Sequence, residues 1–216
     1  RRQRQMCIRD RCFTDYRKTT FEQRAGWLRA TADLLEAEAD TVAAMMTQEM
    51  GKTLAAAKAE TLKCARAFRH YAEHGAAMLA DEPADADAVG ASKAYMRYQP
   101  LGVVLAVMPW NFPLWQAVRF IAPALMAGNV GVLKHASNVP QSALYISDVL
   151  RRAGFPDGCF QTLLIGSSMV EAIVRDPRVV AATLTGSEPA GRAVAAVAGD
   201  EAVSYTHLTL PTTPYV

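Results

Sequence analysis

The feature that most constrains the fold of this chain is a change of hydrophobic period near residue 94. Before this point apolar residues recur at helical spacing, and after it short apolar runs alternate with helical segments. Strands that alternate with helices form a parallel, doubly wound sheet. The sequence therefore predicts an α/β fold in which an N-terminal helical segment precedes the sheet. The expected strands cover 102–108, 130–134, 159–165 and 179–184, and the expected helices cover 114–127, 140–153, 168–175 and 188–198.

The N-terminal segment carries signals for helix boundaries. The stretch 20–23, Thr-Phe-Glu-Gln, has the pattern of a capping box and predicts the start of a helix. A second helix is expected to end at Met50, with Gly51 as its stop signal, and a third to cover 53–80. Four charged residues near these helices have the spacing of a solvated helix face, namely Glu49, Lys52, Glu60 and Lys63.

The region between the helices and the sheet contains few apolar residues. Residues 81–92 are acidic and small, which predicts a loop. Residues 94–98 alternate like an exposed strand.

Both ends of the chain lack the patterns found between them. Residues 1–11 show neither a helical nor a strand period, and 203–216 read VSYTHLTLPTTPYV. Both resemble translated sequencing-adapter read-through, so we expect two non-native ends and leave them out of the predicted fold. The alternative is a genuine disordered arm and tail.

The ends also decide how the net charge is interpreted. Residues 1–11 contain five Arg and one Asp, so without them the formal charge changes from +2 to −2. The basic balance is therefore no indication of nucleic-acid binding. Hydrophobic residues make up 51% of the 216, which excludes a chain that is disordered throughout. No apolar run reaches the roughly 18 residues of a membrane helix, so we expect no membrane partner.

The four cysteines suggest no metal site, because none has CxxC spacing or a nearby pair of histidines. Cys64 and Cys159 are expected to be small buried hydrophobic residues. With no signal peptide in view, we expect reduced thiols and a cytoplasmic protein.

Three short motifs follow the predicted strands. They are Pro-Trp-Asn-Phe-Pro at 109–113, Gly-Asn at 128–129 with Lys-His-Ala-Ser at 134–137, and Leu-Thr-Gly-Ser at 184–187 followed by Gly191. In an α/β sheet, ligands bind where strands give way to loops and helices at the carboxyl edge. The motifs therefore predict one site at that edge.

From about residue 19 to about 202 the chain resembles the aldehyde dehydrogenase superfamily, on the three motifs just described. The variant of the second motif is most similar to the branch of bacterial succinate-semialdehyde dehydrogenases. The resemblance implies a Rossmann-like cofactor domain, with 12–93 as its helical part, 94–100 as the strand of an oligomerisation hairpin and 101–202 as the NAD(P)-binding portion.

The resemblance also implies that part of the catalytic machinery lies elsewhere. Family members use a thiolate nucleophile and a glutamate base, both beyond the Thr-Gly-Ser motif. The chain is thus expected to be a truncated, N-terminal fragment that is inactive alone.

Asn111 is the candidate catalytic residue. A side-chain amide at the end of a strand can donate to the oxyanion that forms when a thiolate attacks an aldehyde. The alternative is an asparagine that only satisfies the backbone of its turn. Pro109 and Pro113 restrict the backbone around it. Trp110 is expected to line the cofactor channel or to pack in the core.

The candidate cofactor-binding residues follow from the same motifs. Lys134 suits the hydroxyls or the phosphate of the adenosine ribose, and Ser137 removes the repulsion that a glutamate would exert on a 2′-phosphate. The start of the helix after Ser187 suits a pyrophosphate, although an ordinary N-cap serine is the alternative. The full set is Met108, Pro109, Trp110, Lys134, His135, Ala136, Ser137, Gly186 and Ser187, and the expected cofactor is NADP or NAD.

Arg119 is the candidate for substrate binding, because it matches an arginine with which succinate-semialdehyde-handling relatives bind the substrate carboxylate. A structural ion pair is the alternative. The predicted function is oxidation of a small aldehyde, expected to be succinate semialdehyde, by a parent enzyme that is a homodimer or homotetramer. Two other functions remain open: a nucleotide-binding module without catalysis, and a self-association protein that uses the 94–98 strand as an exposed edge.

Overall fold

The computed structural model describes residues 12–209. In chain order its elements are α1 (Phe21–Ala37), α2 (Ala39–Met50), α3 (Leu54–Met78), β1 (Glu82–Pro83), β2 (Tyr95–Met96), β3 (Val103–Met108), α4 (Trp115–Met126), β4 (Val130–His135), α5 (Pro140–Arg152), β5 (Phe160–Thr162), α6 (Val170–Val174), β6 (Val179–Gly186), α7 (Glu188–Asp200) and β7 (Ser204–Thr209). Short 3-10 helices cover Asp87–Val89 and Ser167–Met169, and residues 12–16 are also helical.

Within residues 12–209 the main sheet has five strands in the order β5-β4-β3-β6-β7, and all of its pairings are parallel. Counted along the chain, this is third-second-first-fourth-fifth, so the direction of winding reverses between β3 and β6. The predicted parallel, doubly wound α/β fold is therefore confirmed. Strands β3 and β4 are almost wholly buried, which explains their continuous apolar sequences.

The N-terminal helices form a layer against α4 and α5. The predicted capping box is present, since the Thr20 hydroxyl accepts from the Gln23 N–H at 3.2 Å and the Gln23 side chain accepts from the Thr20 N–H at 2.8 Å. Gly51 ends α2 with φ of 76°, a left-handed conformation that favours glycine. The core of this layer lies on one stripe of α3 that includes Ala57, Cys64 and Phe68.

Buried Arg24 joins this layer to the C-terminal end of α4. Its guanidinium donates to the Met126 carbonyl at 3.1 Å and to the hydroxyl and carbonyl of Thr19, each at 2.8 Å. A cation here is favourable because the last carbonyls of a helix are unpaired and carry partial negative charge.

The Gly128-Asn129 motif completes the same end of α4. Gly128 has φ of 87°, and a β-carbon there would lie 2.9 Å from a guanidinium nitrogen of Arg24. The side-chain oxygen of Asn129 accepts from the N–H groups of Leu101 and Gly102 at 2.7 and 3.2 Å, just before β3 begins. The motif therefore serves the fold rather than a ligand.

The structure differs from the sequence prediction in two strands. The strand expected at 159–165 is only Phe160–Thr162, because the chain beyond it turns into the 3-10 helix Ser167–Met169. Within the expected loop 81–92, Glu82–Pro83 pairs antiparallel with β2, so that the exposed strand near residue 95 is half of a small hairpin.

The C-terminal residues need a larger correction. The sequence predicts that 203–216 lie outside the fold, yet Ser204–Thr209 forms β7 and pairs in parallel with β6. Its His207 ring occupies the space beside Gly191, where an added β-carbon would lie 2.1 Å from the ring. The non-native origin of this end stays a prediction, as do the domain boundaries. The other expected non-native end, 1–11, lies outside the described residues.

Candidate functional site

The predicted site residues gather at the carboxyl edge of three neighbouring strands. In the strand register, Val107 of β3 lies opposite Lys134 of β4 on one side and Leu184 of β6 on the other. The motifs that follow these residues therefore leave the sheet at the same edge. Because the winding reverses between β3 and β6, this edge holds the crevice in which doubly wound sheets bind ligands.

Asn111 lies in the loop that connects β3 to α4. Its side-chain oxygen is buried and has no hydrogen-bond partner among residues 12–209. Buried polar atoms are nearly always paired, so this side chain, like those of Gln116 and His207, has hydrogen-bonding capacity that the described chain leaves unused. The alternative that Asn111 only satisfies its own turn is not supported, since its side chain forms no hydrogen bond with that turn in the described part of the chain.

The flanking residues also differ from an ordinary core turn. Trp110 is 41% exposed, which contradicts the alternative that it packs in the core. Pro109 is partly exposed beside it, whereas Met108 is buried and lines a cavity with Arg119.

Two charged residues that were expected to be solvated hold this loop. The Lys52 ammonium forms an ion pair with the Glu60 carboxylate, and their side chains are only 11% and 2% exposed. Lys52 also donates to the Asn111 carbonyl at 3.2 Å and lies 3.7 Å from the centre of the Phe112 ring. Glu60 accepts from the N–H groups of Leu114 and Trp115, each at 2.9 Å.

The interpretation as a solvated face is therefore wrong for Lys52 and Glu60, whereas Lys63 is exposed and Glu49 is partly exposed. Besides the Lys52–Glu60 pair, Glu49 accepts hydrogen bonds from Gln141 and Ser142 at the start of α5, and Lys63 lies 3.7 Å from the centre of the Trp115 ring. One signal was present, because Glu60 falls within the apolar stripe of α3, three residues after Ala57.

His135 was predicted to contact a cofactor, but its ring is buried and both nitrogens are used. Nε2 pairs with the Pro113 carbonyl at 2.7 Å, and Nδ1 accepts from the Ala136 N–H at 2.9 Å. These partners fix the neutral tautomer with the proton on Nε2. Burial lowers the pKa of His135 below its ordinary 6.5. The side chain thus ties β4 to the loop that carries Asn111, and a cofactor contact at His135 stays a prediction.

Lys134 and Ser137 keep the features expected of a ribose site. Lys134 is half-buried, forms no ion pair within residues 12–209, and has its pKa lowered by burial. Ser137 is exposed at the end of the same motif, and Ala136 between them is partly exposed. One positive charge and no negative charge therefore come from this stretch.

Gly186 and Ser187 lead from β6 into α7. Ser187 is the N-cap residue of that helix, but its hydroxyl makes no capping hydrogen bond. The alternative of an ordinary N-cap serine is therefore not what the structure contains. The N–H groups of the first turn and the partial positive charge of the helix end suit an anion.

Arg119 projects from α4 into a cavity of about 560 Å³ between that helix and strands β6 and β7. Its guanidinium donates to the Thr185 hydroxyl, and it forms no ion pair with any residue in the described part. Burial lowers its pKa, though an arginine remains charged. The alternative of a structural ion pair is thus not supported.

The remaining features concern the cysteines, metal ligands and membrane-spanning helices. Cys64 and Cys159 are buried free thiols, as expected. Among residues 12–209, no group of three His, Cys, Asp or Glu side chains is arranged to hold a metal ion. None of the helices in this range has both the length and the apolar character needed to cross a membrane.

The fold is a doubly wound α/β sheet with its candidate site at the carboxyl edge, and comparison with known proteins defines the class. The chain belongs to the aldehyde dehydrogenase family, whose family model matches residues 5–211.

Two of its relatives carry the same enzyme name. The chain is 78% identical over 191 residues to succinate-semialdehyde dehydrogenase [NADP(+)] 1 of Mycobacterium tuberculosis, covering 88% of this chain and 42% of that protein. It is 77% identical over 190 residues to succinate-semialdehyde dehydrogenase [NADP(+)] of Mycobacterium avium, covering 88% and 40%. The chain thus spans less than half the length of these relatives.

A solved structure gives the same result for the fold. The crystal structure of succinic semialdehyde dehydrogenase from Streptococcus pyogenes in complex with NADP+ superposes with a TM-score of 0.90 at 35% sequence identity. The match covers 94% of this chain and 44% of that one.

Proposed function

We propose that this chain is the cofactor-binding part of an NADP-dependent dehydrogenase that oxidises succinate semialdehyde to succinate. The observation that carries the proposal is the place of Asn111, at the edge where the sheet reverses its winding, with a half-buried side chain whose oxygen has no partner in the described chain. The names of the Mycobacterium relatives supply the substrate and the cofactor.

Asn111 acts on the aldehyde carbonyl in this proposal. Attack by a thiolate, which the rest of the intact enzyme supplies, places negative charge on the carbonyl oxygen. The amide N–H of Asn111 donates to that oxygen. A donor that is already in position costs no reorganisation when the charge develops, which is why such groups lower the barrier.

The residues at the edge fit NADP. Ser187 and the first turn of α7 would hold the pyrophosphate, and Lys134 with Ser137 would hold the ribose that carries the 2′-phosphate. The fit rests on the uncapped start of α7, the unpaired ammonium of Lys134 and the absence of a carboxylate at 134–137. When bound, the nicotinamide supplies the acceptor for hydride.

Arg119 is proposed to bind the carboxylate of the substrate. Its guanidinium has one partner, the neutral Thr185 hydroxyl, and no acidic side chain within the described range competes for it. A guanidinium can hold a carboxylate with two parallel hydrogen bonds. This arrangement would favour an aldehyde with a terminal carboxylate over an uncharged one.

The intact enzyme is proposed to be a cytoplasmic homodimer or homotetramer that assembles through the β1–β2 hairpin. The hairpin exposes Tyr95, Met96 and Tyr98, which are 41%, 51% and 45% exposed. Exposed aromatic and methionine side chains grouped together are typical of an association surface. Replacement of Tyr95 and Met96 by serine should reduce the mass of the intact enzyme in analytical ultracentrifugation.

The catalytic proposal is tested in a full-length protein. In this hybrid enzyme, residues 12–202 of the chain replace the matching part of the Mycobacterium tuberculosis relative. We expect it to reduce NADP+ with succinate semialdehyde, at a kcat/KM well above that for butyraldehyde, which lacks the carboxylate. An Arg119→Met variant should lose this preference while it keeps its activity on butyraldehyde.

Two results would contradict the proposal. A hybrid enzyme that folds but oxidises no aldehyde would exclude the activity, and an unchanged substrate preference in Arg119→Met would exclude the role of Arg119. The 216-residue chain by itself is expected to show no turnover, because the family nucleophile lies outside the matched motifs.

A further inference from the structure

We propose that the Lys52–Glu60 ion pair is a positioning device for Asn111, so that two residues outside all three motifs set the geometry of the oxyanion site. The inference rests on the proposed function, since it gives Asn111 its catalytic role. Both contact the loop between β3 and α4, so they are positioning residues that act through its backbone.

The first half of the device is Glu60, which fixes the start of α4. The N–H groups of Leu114 and Trp115 are among those that a helix leaves unpaired at its N-terminus. Both donate to one oxygen of Glu60 at 2.9 Å. A carboxylate is well suited to this place because it opposes the partial positive charge of the helix end.

The second half is Lys52, which fixes the residue that carries the amide. Its ammonium is paired with the other oxygen of Glu60 and donates to the backbone carbonyl of Asn111 at 3.2 Å. It also lies over the Phe112 ring. One ion pair therefore holds the backbone at Asn111 and again at Leu114 and Trp115.

The loop between these points is restrained as well. The Pro113 carbonyl pairs with the His135 ring at 2.7 Å. The backbone angle φ of Pro113 is fixed by its own ring. The backbone of the loop is thus bound from three sides, whereas the side-chain oxygen of Asn111 has no partner in the described chain. Such an arrangement holds the amide still without using its hydrogen-bonding capacity.

Stability alone does not account for a buried ion pair here. Removing two charges from water is costly, and well-packed apolar residues of similar volume are often at least as stabilising. The pair supplies directed hydrogen bonds to three separate backbone groups, which an apolar pair would not. Its benefit is therefore expected in the rate of reaction.

The test uses the hybrid enzyme with Lys52→Met and Glu60→Ala, each alone and combined with Asn111→Ala. Displacing a catalytic group by about 1 Å can cost about 100-fold in rate, so we expect kcat for succinate semialdehyde to fall about 100-fold in each single variant. The KM for NADP+ should stay within about twofold, because Lys134, Ser137 and Ser187, which are proposed to hold NADP+, are unchanged. Glu60→Gln, which keeps an acceptor for the two N–H groups, should recover part of the loss.

The combined variants separate positioning from general damage. If the pair acts through Asn111, neither substitution lowers kcat further once Asn111 is alanine. Equal losses with and without the Asn111 side chain would overturn the inference. The matched controls are Lys58→Met, which breaks an exposed ion pair with Asp40, and Glu73→Ala, whose side chain is 74% exposed. Both should leave kcat unchanged.

A second measurement keeps the inference testable even if the hybrid enzyme oxidises no aldehyde, the result that refutes the proposed function. Amide hydrogen exchange of 111–116 should be faster in Lys52→Met and Glu60→Ala than in the parent and the two controls, because their restraints are lost. Unchanged exchange in this segment would exclude the positioning role by itself.

Discussion

The two ends of α4 are held by buried ions of opposite sign. At the C-terminal end Arg24 donates to the Met126 carbonyl, and at the N-terminal end Glu60 accepts from the Leu114 and Trp115 N–H groups. Both ions come from the N-terminal helices, and each complements the helix end that it contacts.

The two ends differ in the hydrogen bonds that their asparagine side chains accept. Asn129 accepts two backbone hydrogen bonds beside the C-terminal end, whereas the side-chain oxygen of Asn111 beside the N-terminal end has no partner in the described chain. One end is therefore fully satisfied and serves the fold. The other is also restrained in its backbone, but the side-chain oxygens of Asn111 and Gln116 stay without a partner in the described chain.

The largest expected effect separates the two asparagines in the hybrid enzyme. Asn111→Ala should lower kcat about 100- to 1,000-fold, the typical cost of losing one oxyanion donor, with no loss of folding stability. Asn129→Ala should instead cost about 1–2 kcal/mol of stability, because it leaves two N–H groups without their acceptor, and should keep kcat. Steady-state kinetics and urea unfolding measure both. If the two variants change kcat and the free energy of unfolding to the same extent, the distinction between the two asparagines is wrong.

Arg24→Met tests the end that serves the fold. It removes a buried guanidinium and leaves the Met126 carbonyl unpaired, so we expect a loss of about 3 kcal/mol in the free energy of unfolding. The exposed Arg29, which pairs with Glu22 at the surface, offers the control Arg29→Met with a change below about 1 kcal/mol. A stable Arg24→Met variant with reduced kcat would mean that this end also serves catalysis.

Gly128→Ala should have a smaller effect of the same kind. The left-handed backbone at this position and the nearby guanidinium predict a cost of about 1–2 kcal/mol. Gly26→Ala is the control, since a β-carbon there meets nothing within 4 Å. The difference between the two urea midpoints gives the answer, and equal midpoints would contradict it.

The smallest effect is a pH dependence at the catalytic end. Burial lowers the pKa of His135 below 6.5, so the unfolded chain binds a proton at a higher pH than the folded chain does. Above pH 6.5 the residue contributes no pH dependence, and stability falls as the pH drops from 6.5 towards the folded pKa. Replacement of His135 by Gln should flatten this part of the stability curve. If the free energy of unfolding depends on pH in the same way in the parent and in His135→Gln, His135 is excluded as the cause.

The sheet and the position of the site could be predicted because their signals are local. Each apolar run with its flanking helix specifies a strand, and the carboxyl edge follows from the parallel order. The cap of α1 and the left-handed stop at Gly51 depend on residues no more than four positions apart, so they too were predictable.

The ions that hold α4 could not be predicted in the same way. Glu60 lies 54 residues before Leu114 and Arg24 lies 102 before Met126, so no local pattern connects them. A charged residue on a helix suggests solvent exposure until its partner is known. The pairing of His135 with the Pro113 carbonyl could not be predicted for the same reason, because the two residues are 22 positions apart.

The unpaired oxygen of Asn111 has a consequence for directed evolution of this domain. Leucine has nearly the shape of asparagine but no polar atom. Asn111→Leu therefore removes a buried polar atom that has no hydrogen-bond partner, which should raise the stability. A library sorted only for heat resistance or expression would therefore enrich this substitution and lose the catalyst. Sorting must include turnover if the asparagine is to survive.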